Sequence, residues 1–131
     1  MRTLQFALAL EDTNGEFLYY NKTLDKRETA VWKIPVDGGE ESRVVDSVIT
    51  RNFAVGPQGI HFMQAPDEDD PERSYSIRFL DFSRGRTQLV ARLPGKVDMT
   101  FGLSVSPDGK SILYSQIDDQ SSDLMLIEGF R

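Results

Sequence analysis

Apolar positions in this chain fall in short dense runs rather than at helical spacing. Phe17-Leu18-Tyr19-Tyr20, Ile60-His61-Phe62-Met63 and Ile112-Leu113-Tyr114 each follow a glycine-containing turn. Each is followed, after a polar stretch, by a second run of β-favouring residues: 30–35, 76–81 and 123–128. Glycines and prolines interrupt every stretch long enough to hold a helical period, so the pattern predicts strands throughout. Three turn glycines, Gly15, Gly59 and Gly109, are separated by 44 and 50 residues, a spacing that marks an internal repeat.

The repeat is legible in sequence as well as in spacing. Ser104-Val-Ser-Pro-Asp-Gly-Lys-Ser-Ile-Leu-Tyr-Ser-Gln116 is echoed by Ala54-Val-Gly-Pro-Gln-Gly-Ile-His-Phe-Met-Gln64, and more loosely by Ala9-Leu-Glu-Asp-Thr-Asn-Gly-Glu-Phe-Leu-Tyr-Tyr20. Each unit reads as strands A, B, C and D, with tight turns after A and C and a longer loop after B. Glycine supplies the positive φ that such turns need. The first unit places A at 4–10, B at 16–21, C at 29–36 and D at 42–48, with Asp37-Gly38-Gly39 as its second turn. The second places them at 52–56, 60–64, 75–82 and 87–93, with Ser83-Arg84-Gly85 turning between C and D. The third has A at 100–106, B at 110–116 and C at 123–128, and reaches Arg131 with no D strand.

The near-continuous apolar B strands imply burial on both faces, which stacked sheets provide. The expected fold is therefore all-β: a β-propeller fragment of about three four-stranded antiparallel blades, the last incomplete. These form one domain, with repeats at about 1–48, 49–96 and 97–131. A sandwich of ten or eleven short strands would explain the strand and turn spacing but not the threefold repeat. Three blades cannot close a ring. Either further blades lie upstream, or two chains join head to tail, with residues from Arg2 and Thr3 onward supplying the missing strand of a neighbour.

Val105-Ser-Pro-Asp-Gly-Lys-Ser-Ile-Leu-Tyr114 resembles the SPDGK signature of TolB-like, WD40-like (PD40) propeller blades. Val31-Trp-Lys-Ile-Pro-Val-Asp-Gly-Gly39 is similar to their C strand and turn, and the second repeat, with Gly56-Pro57-Gln58-Gly59, is a degraded copy. The closing run Ser122–Glu128 is similar to the last blade of large bacterial propeller proteins. The resemblance implies binding or scaffolding rather than catalysis. Physically the motif is a turn: Pro107 presets φ, Asp108 bonds the backbone two residues on, and Gly109 takes the left-handed position.

Composition narrows the chemistry. The chain has no cysteine, which excludes disulfides and thiolate metal sites, and it has no apolar stretch of eighteen residues. Neither a membrane span nor a signal peptide is expected, and the compartment, periplasmic or cytoplasmic, is left open. A net charge of −6 argues against nucleic acid as a partner. One histidine, His61, aligns with Leu18 and Leu113 inside a B strand and reads as a packing residue. With no nucleophile elbow, no thiol and no phosphate loop, no catalytic residue and no cofactor is expected. Trp32 reads as a strand residue packed between blades.

Strand order sorts the remaining charge. The B–C loops, 21–29, 65–74 and 117–122, carry net charges of +1, −4 and −2, so −5 of the chain's −6 gathers on one rim. Asp67, Glu68, Asp69, Asp70 and Glu72, with Asp118 and Asp119, form an expected acidic face for a protein or small-ligand partner. The acidic run lacks the spacing of a calcium-binding EF-hand loop and reads as a solvated, mobile loop. The functional expectation is a non-enzymatic protein-interaction or ligand-sensing module. The alternative is an accessory propeller of a prolyl oligopeptidase-type hydrolase.

Overall fold

The computed structural model describes residues 9–12, 14–23, 29–49, 51–67, 69–97, 102–118 and 121–129. Every regular element within them is a strand, and the strands form three antiparallel sheets that succeed one another along the chain. The first holds β1 (Ala9–Glu11), β2 (Phe17–Thr23), β3 (Thr29–Pro35) and β4 (Ser42–Val45), side by side in chain order. The second repeats this with β5 (Phe53–Val55), β6 (Gly59–Gln64), β7 (Tyr75–Asp81) and β8 (Arg86–Leu93). In the third, β9 (Lys96–Val97) and β10 (Ser104–Val105) lie along one side of β11 (Ser111–Asp118), and β12 (Ser121–Glu128) lies along the other. No strand pairs with the outer edge of β12 among the described residues. The A strands expected at 4–10 and 100–106 fall partly outside the described residues.

Strand register makes the repeat quantitative. Phe17, Gly59 and Ser111 pair with Pro35, Asp81 and Glu128, which sets Leu18, Ile60 and Ile112 at one position and Tyr20, Phe62 and Tyr114 at another. A β-bulge falls after Val31 in the first sheet and after Ile77 in the second, again at equivalent positions. Such a bulge increases local twist, which lets the outer strand turn away from the sheet plane. On this register His61 is equivalent to Tyr19 and Leu113, one place from the alignment with Leu18 that the sequence suggests.

The A–B turns themselves differ in length. Asp12 N–H donates to Phe17 O at 3.0 Å and Gly15 N–H to Asp12 O at 3.2 Å; Ser106 and Ser111, and Gly109 and Ser106, repeat the pattern at 2.9 Å each. Gly15 and Gly109 take φ of 70° and 73°, the left-handed region that favours glycine. The second turn is two residues shorter, with Gly56 N–H bonded directly to Gly59 O at 2.9 Å. Gly59 is therefore not the counterpart of Gly15 and Gly109, and its φ is not positive. It is glycine because a Cβ there would stand 2.0 Å from Leu80 O and 2.6 Å from the Phe79 ring. The third B–C connection also differs from expectation. β11 and β12 run into it until Asp118 pairs with Ser121, so most of 117–122 is strand.

Side chains between the sheets form two cores. Tyr19, Val31, Val45, Val48, Phe53, Ile60 and Phe62 fill the space between the first and second sheets. Ile49, Met63, Ile77, Leu93, Val97, Leu103, Ile112 and Tyr114 fill that between the second and third. The middle sheet is buried on both faces, as its continuous apolar run demands. β5 lies beside both β1 and β10, so the three A strands converge, the arrangement of inner strands in a propeller. Trp32 does not join the inter-sheet core: it pairs with Tyr20 on the opposite face of the first sheet, with the Lys22 ammonium 4.3 Å from its ring centroid.

Candidate functional site

The two inter-sheet spaces differ at the rim that carries the A–B and C–D turns. Between the second and third sheets this rim opens into a cleft of about 810 Å³. One wall is the short turn Gly56–Gly59 with His61 and Phe79 below it. Asp81, Arg84, Gln88, Leu89 and Val90 extend that wall outward, and Val105 to Gly109 of the third sheet form the opposite lip.

His61 and Phe79 are cross-strand neighbours on β6 and β7, with ring centroids 4.5 Å apart and planes tilted by 41°. Burial at the cleft floor lowers the His61 pKa to about 4, because the imidazolium would lose hydration on leaving water. At neutral pH the floor is thus an uncharged, polarisable surface.

The charged groups on the lips are fixed by their turns. Asp81 accepts from the Ser83 hydroxyl at 2.7 Å and the Ser83 N–H at 2.9 Å, and these bonds, the hydroxyl's first, hold its carboxyl below the usual range. Arg84 Nε lies 3.8 Å from Asp81, while the side chain is largely open to solvent, where its guanidinium can meet a ligand. Across the cleft, Asp108 accepts from Ser106 Oγ at 2.5 Å and from Lys110 N–H at 3.0 Å, and the Ser106 bond leads in lowering its pKa. Ser106 Oγ also accepts from Ser111 N–H at 3.0 Å. The Ser106-Pro-Asp-Gly109 turn therefore fixes the Asp108 carboxylate on one lip, while the other lip carries the Asp81–Arg84 ion pair. Among the described residues Ser106 carries the only hydroxyl lining the cleft, and both functions of its Oγ are committed to the turn.

The residues expected to bind on the opposite rim are arranged differently. Asp67, Asp69 and Glu72 are exposed, but Asp70 is folded inward. It accepts from Glu72 N–H at 3.0 Å, from Ser74 N–H at 3.2 Å and Ser74 Oγ at 3.3 Å, and from Arg92 at 3.5 Å. The Glu72 N–H leads in pushing its pKa down. Asp70 therefore holds the turn of its own loop and reaches Arg92 of the outer strand β8, while Asp67, Asp69 and Glu72 face solvent. Asp118 ends β11, and Glu68 and Asp119 lie outside the described residues. Among the described residues no three His, Asp or Glu side chains converge as metal ligands.

Sequence reading placed binding on the loop rim and missed the cleft. Two signals pointed to it: the lone histidine, and the degraded turn of the second repeat, which shortens one wall. Comparison of the chain with models of known protein families and with curated proteins gives no match.

Proposed function

We propose that this chain is a non-enzymatic ligand-binding module of the β-propeller type. Its site is the cleft between the second and third sheets, and its ligand is a short peptide or another dipolar molecule with an apolar body. The observation that carries this reading is the cleft's composition: a neutral aromatic surface of His61 and Phe79, with the exposed Arg84 guanidinium, paired to Asp81, on one lip and the Asp108 carboxylate on the other. A mostly apolar concavity with a few placed polar groups is the usual form of a small-ligand site. Catalysis has no support there, since the one lining hydroxyl is held in its turn by Asp108 and the Ser111 N–H rather than aimed at a ligand. The Ser106–Gly109 turn also supports kinship with TolB-like, PD40 repeat proteins.

The test is a screen of capped and free dipeptides by two-dimensional NMR on the folded chain. Binding is expected to shift the Phe79, Val105 and His61 signals and to be lost in His61→Tyr, which fills the floor. The reading fails if no dipeptide moves these signals, or if H61Y binds as the parent does.

A further inference from the structure

The register equivalences identify one face that the fold buries twice and leaves bare once. Val31 and Ile77, at the same position of β3 and β7, are both 0% exposed, each covered by the sheet that follows. Their equivalent on β12, Leu124, is 69% exposed. Leu126 and Leu113 pair across the same face and are 56% and 38% exposed. An exposed apolar patch of this kind marks a contact surface.

The covering element is also written in the chain. Wherever one sheet docks on the preceding one, it does so with a cross-strand pair of branched apolar residues: Ile60 with Leu80 in the second sheet, Ile112 with Ile127 in the third. The first sheet carries the same pair, Leu18 with Ile34, on the face turned away from the second sheet. Both residues are part-exposed. Each chain thus holds one acceptor face, on its third sheet, and one matching donor face, on its first. The middle sheet separates them.

We propose that the chain self-associates head to tail, with the Leu18–Ile34 face of one copy seated on the Leu113, Leu124 and Leu126 face of another. The contact is heterologous, so donor and acceptor are different surfaces and neither pairs with itself.

Sedimentation of the full chain at about 20 μM tests this. Two or more times 14.8 kDa is expected for the parent, and single-chain mass for the acceptor variant Leu124→Glu/Leu126→Glu and for the donor variant Ile34→Glu. Mixing the two variants is expected to restore a two-chain species, because each retains the face the other lacks. Should Ile34→Glu fail to fold, single cysteines in this cysteine-free chain replace it: L124C mixed with L18C is expected to cross-link more readily than either alone. The proposal is overturned by a folded monomeric parent, by an acceptor variant that still associates, or by preferential L124C self-cross-linking.

Discussion

The two grooves between successive sheets are built on one register yet end differently at the turn rim. In the first groove, Tyr19 from β2 stacks on Phe82, which follows β7, with centroids 6.0 Å apart and planes 19° from parallel. Tyr19 is only 4% exposed, and the rim is closed. In the second groove the equivalent of Tyr19 is His61, and the equivalent of Phe82, one residue past Glu128, is Gly129. A smaller ring at the first position and no side chain at the second leave the second groove without the aromatic stack that spans the first. Two positions in a repeated frame thus set whether an aromatic stack spans the rim between sheets.

The largest expected effect comes from breaking the closed groove. Tyr19→Ala removes a buried ring and its stacking partner's contact, at a cost of about 4 kcal/mol, within the range for deleting a buried aromatic. Urea denaturation followed by tryptophan fluorescence measures it, and a loss below about 1 kcal/mol would show that the stack is incidental. Second in size is Gly59→Ala. The added Cβ meets backbone and ring at once, so β6 and β7 must part where they frame the cleft. About 3 kcal/mol is expected, typical of an overpacked core site, with loss of dipeptide binding as well. A stable G59A chain with unchanged binding would refute the close-approach account of this glycine.

Much of this frame was legible in sequence, because it rests on local rules. Dense apolar runs had to be strands, though among the described residues only the middle one is covered by a sheet on both faces, and Ser106-Pro-Asp-Gly109 and Asp12–Gly15 had to be turns, so the three-sheet order followed. What could not be read was how the sheets meet. Gly59 looked like a turn glycine because its neighbours resemble the other turns, yet the second turn is two residues shorter and Gly59 lies in β6; His61 keeps its match with Leu113, while Leu18 falls one place away, on the other face. The acidic loop is solvated at Asp67, Asp69 and Glu72, as its composition suggests, but only the position of β8 supplies Arg92 to Asp70. The cleft was hidden for the same reason. Its walls come from 54–61, 79–90 and 105–109, residues far apart in the chain that meet only once the sheets are packed.

The smallest expected effect, and the sharpest on the open groove, is the acid response of His61. Its folded pKa of about 4 lies below its ordinary 6.5, so the unfolded chain takes up the proton first. The stability linked to neutral His61 is therefore full above pH 6.5, declines as pH falls toward 4, and is lost below that. The shift corresponds to at most about 3 kcal/mol, and solvent in the half-open cleft reduces it to about 1–2 kcal/mol. The turn carboxylates do not obscure this window. Asp70, Asp81 and Asp108 are all lowered from 3.8, so the stability they contribute is present above that value and is lost only as pH falls through their own lower pKa values. Tyr19, which occupies the matching place in the closed groove, is pushed above 10 by burial and stays neutral throughout. The unfolding free energy of the parent chain should therefore slope downward from pH 6.5 to 4, while that of His61→Phe stays nearly flat. Because the chain has one histidine, its ring carbon resonance gives the titration directly. A midpoint near 6.5, or equal slopes in parent and H61F, would mean that His61 is fully hydrated and is not buried at the cleft as described above.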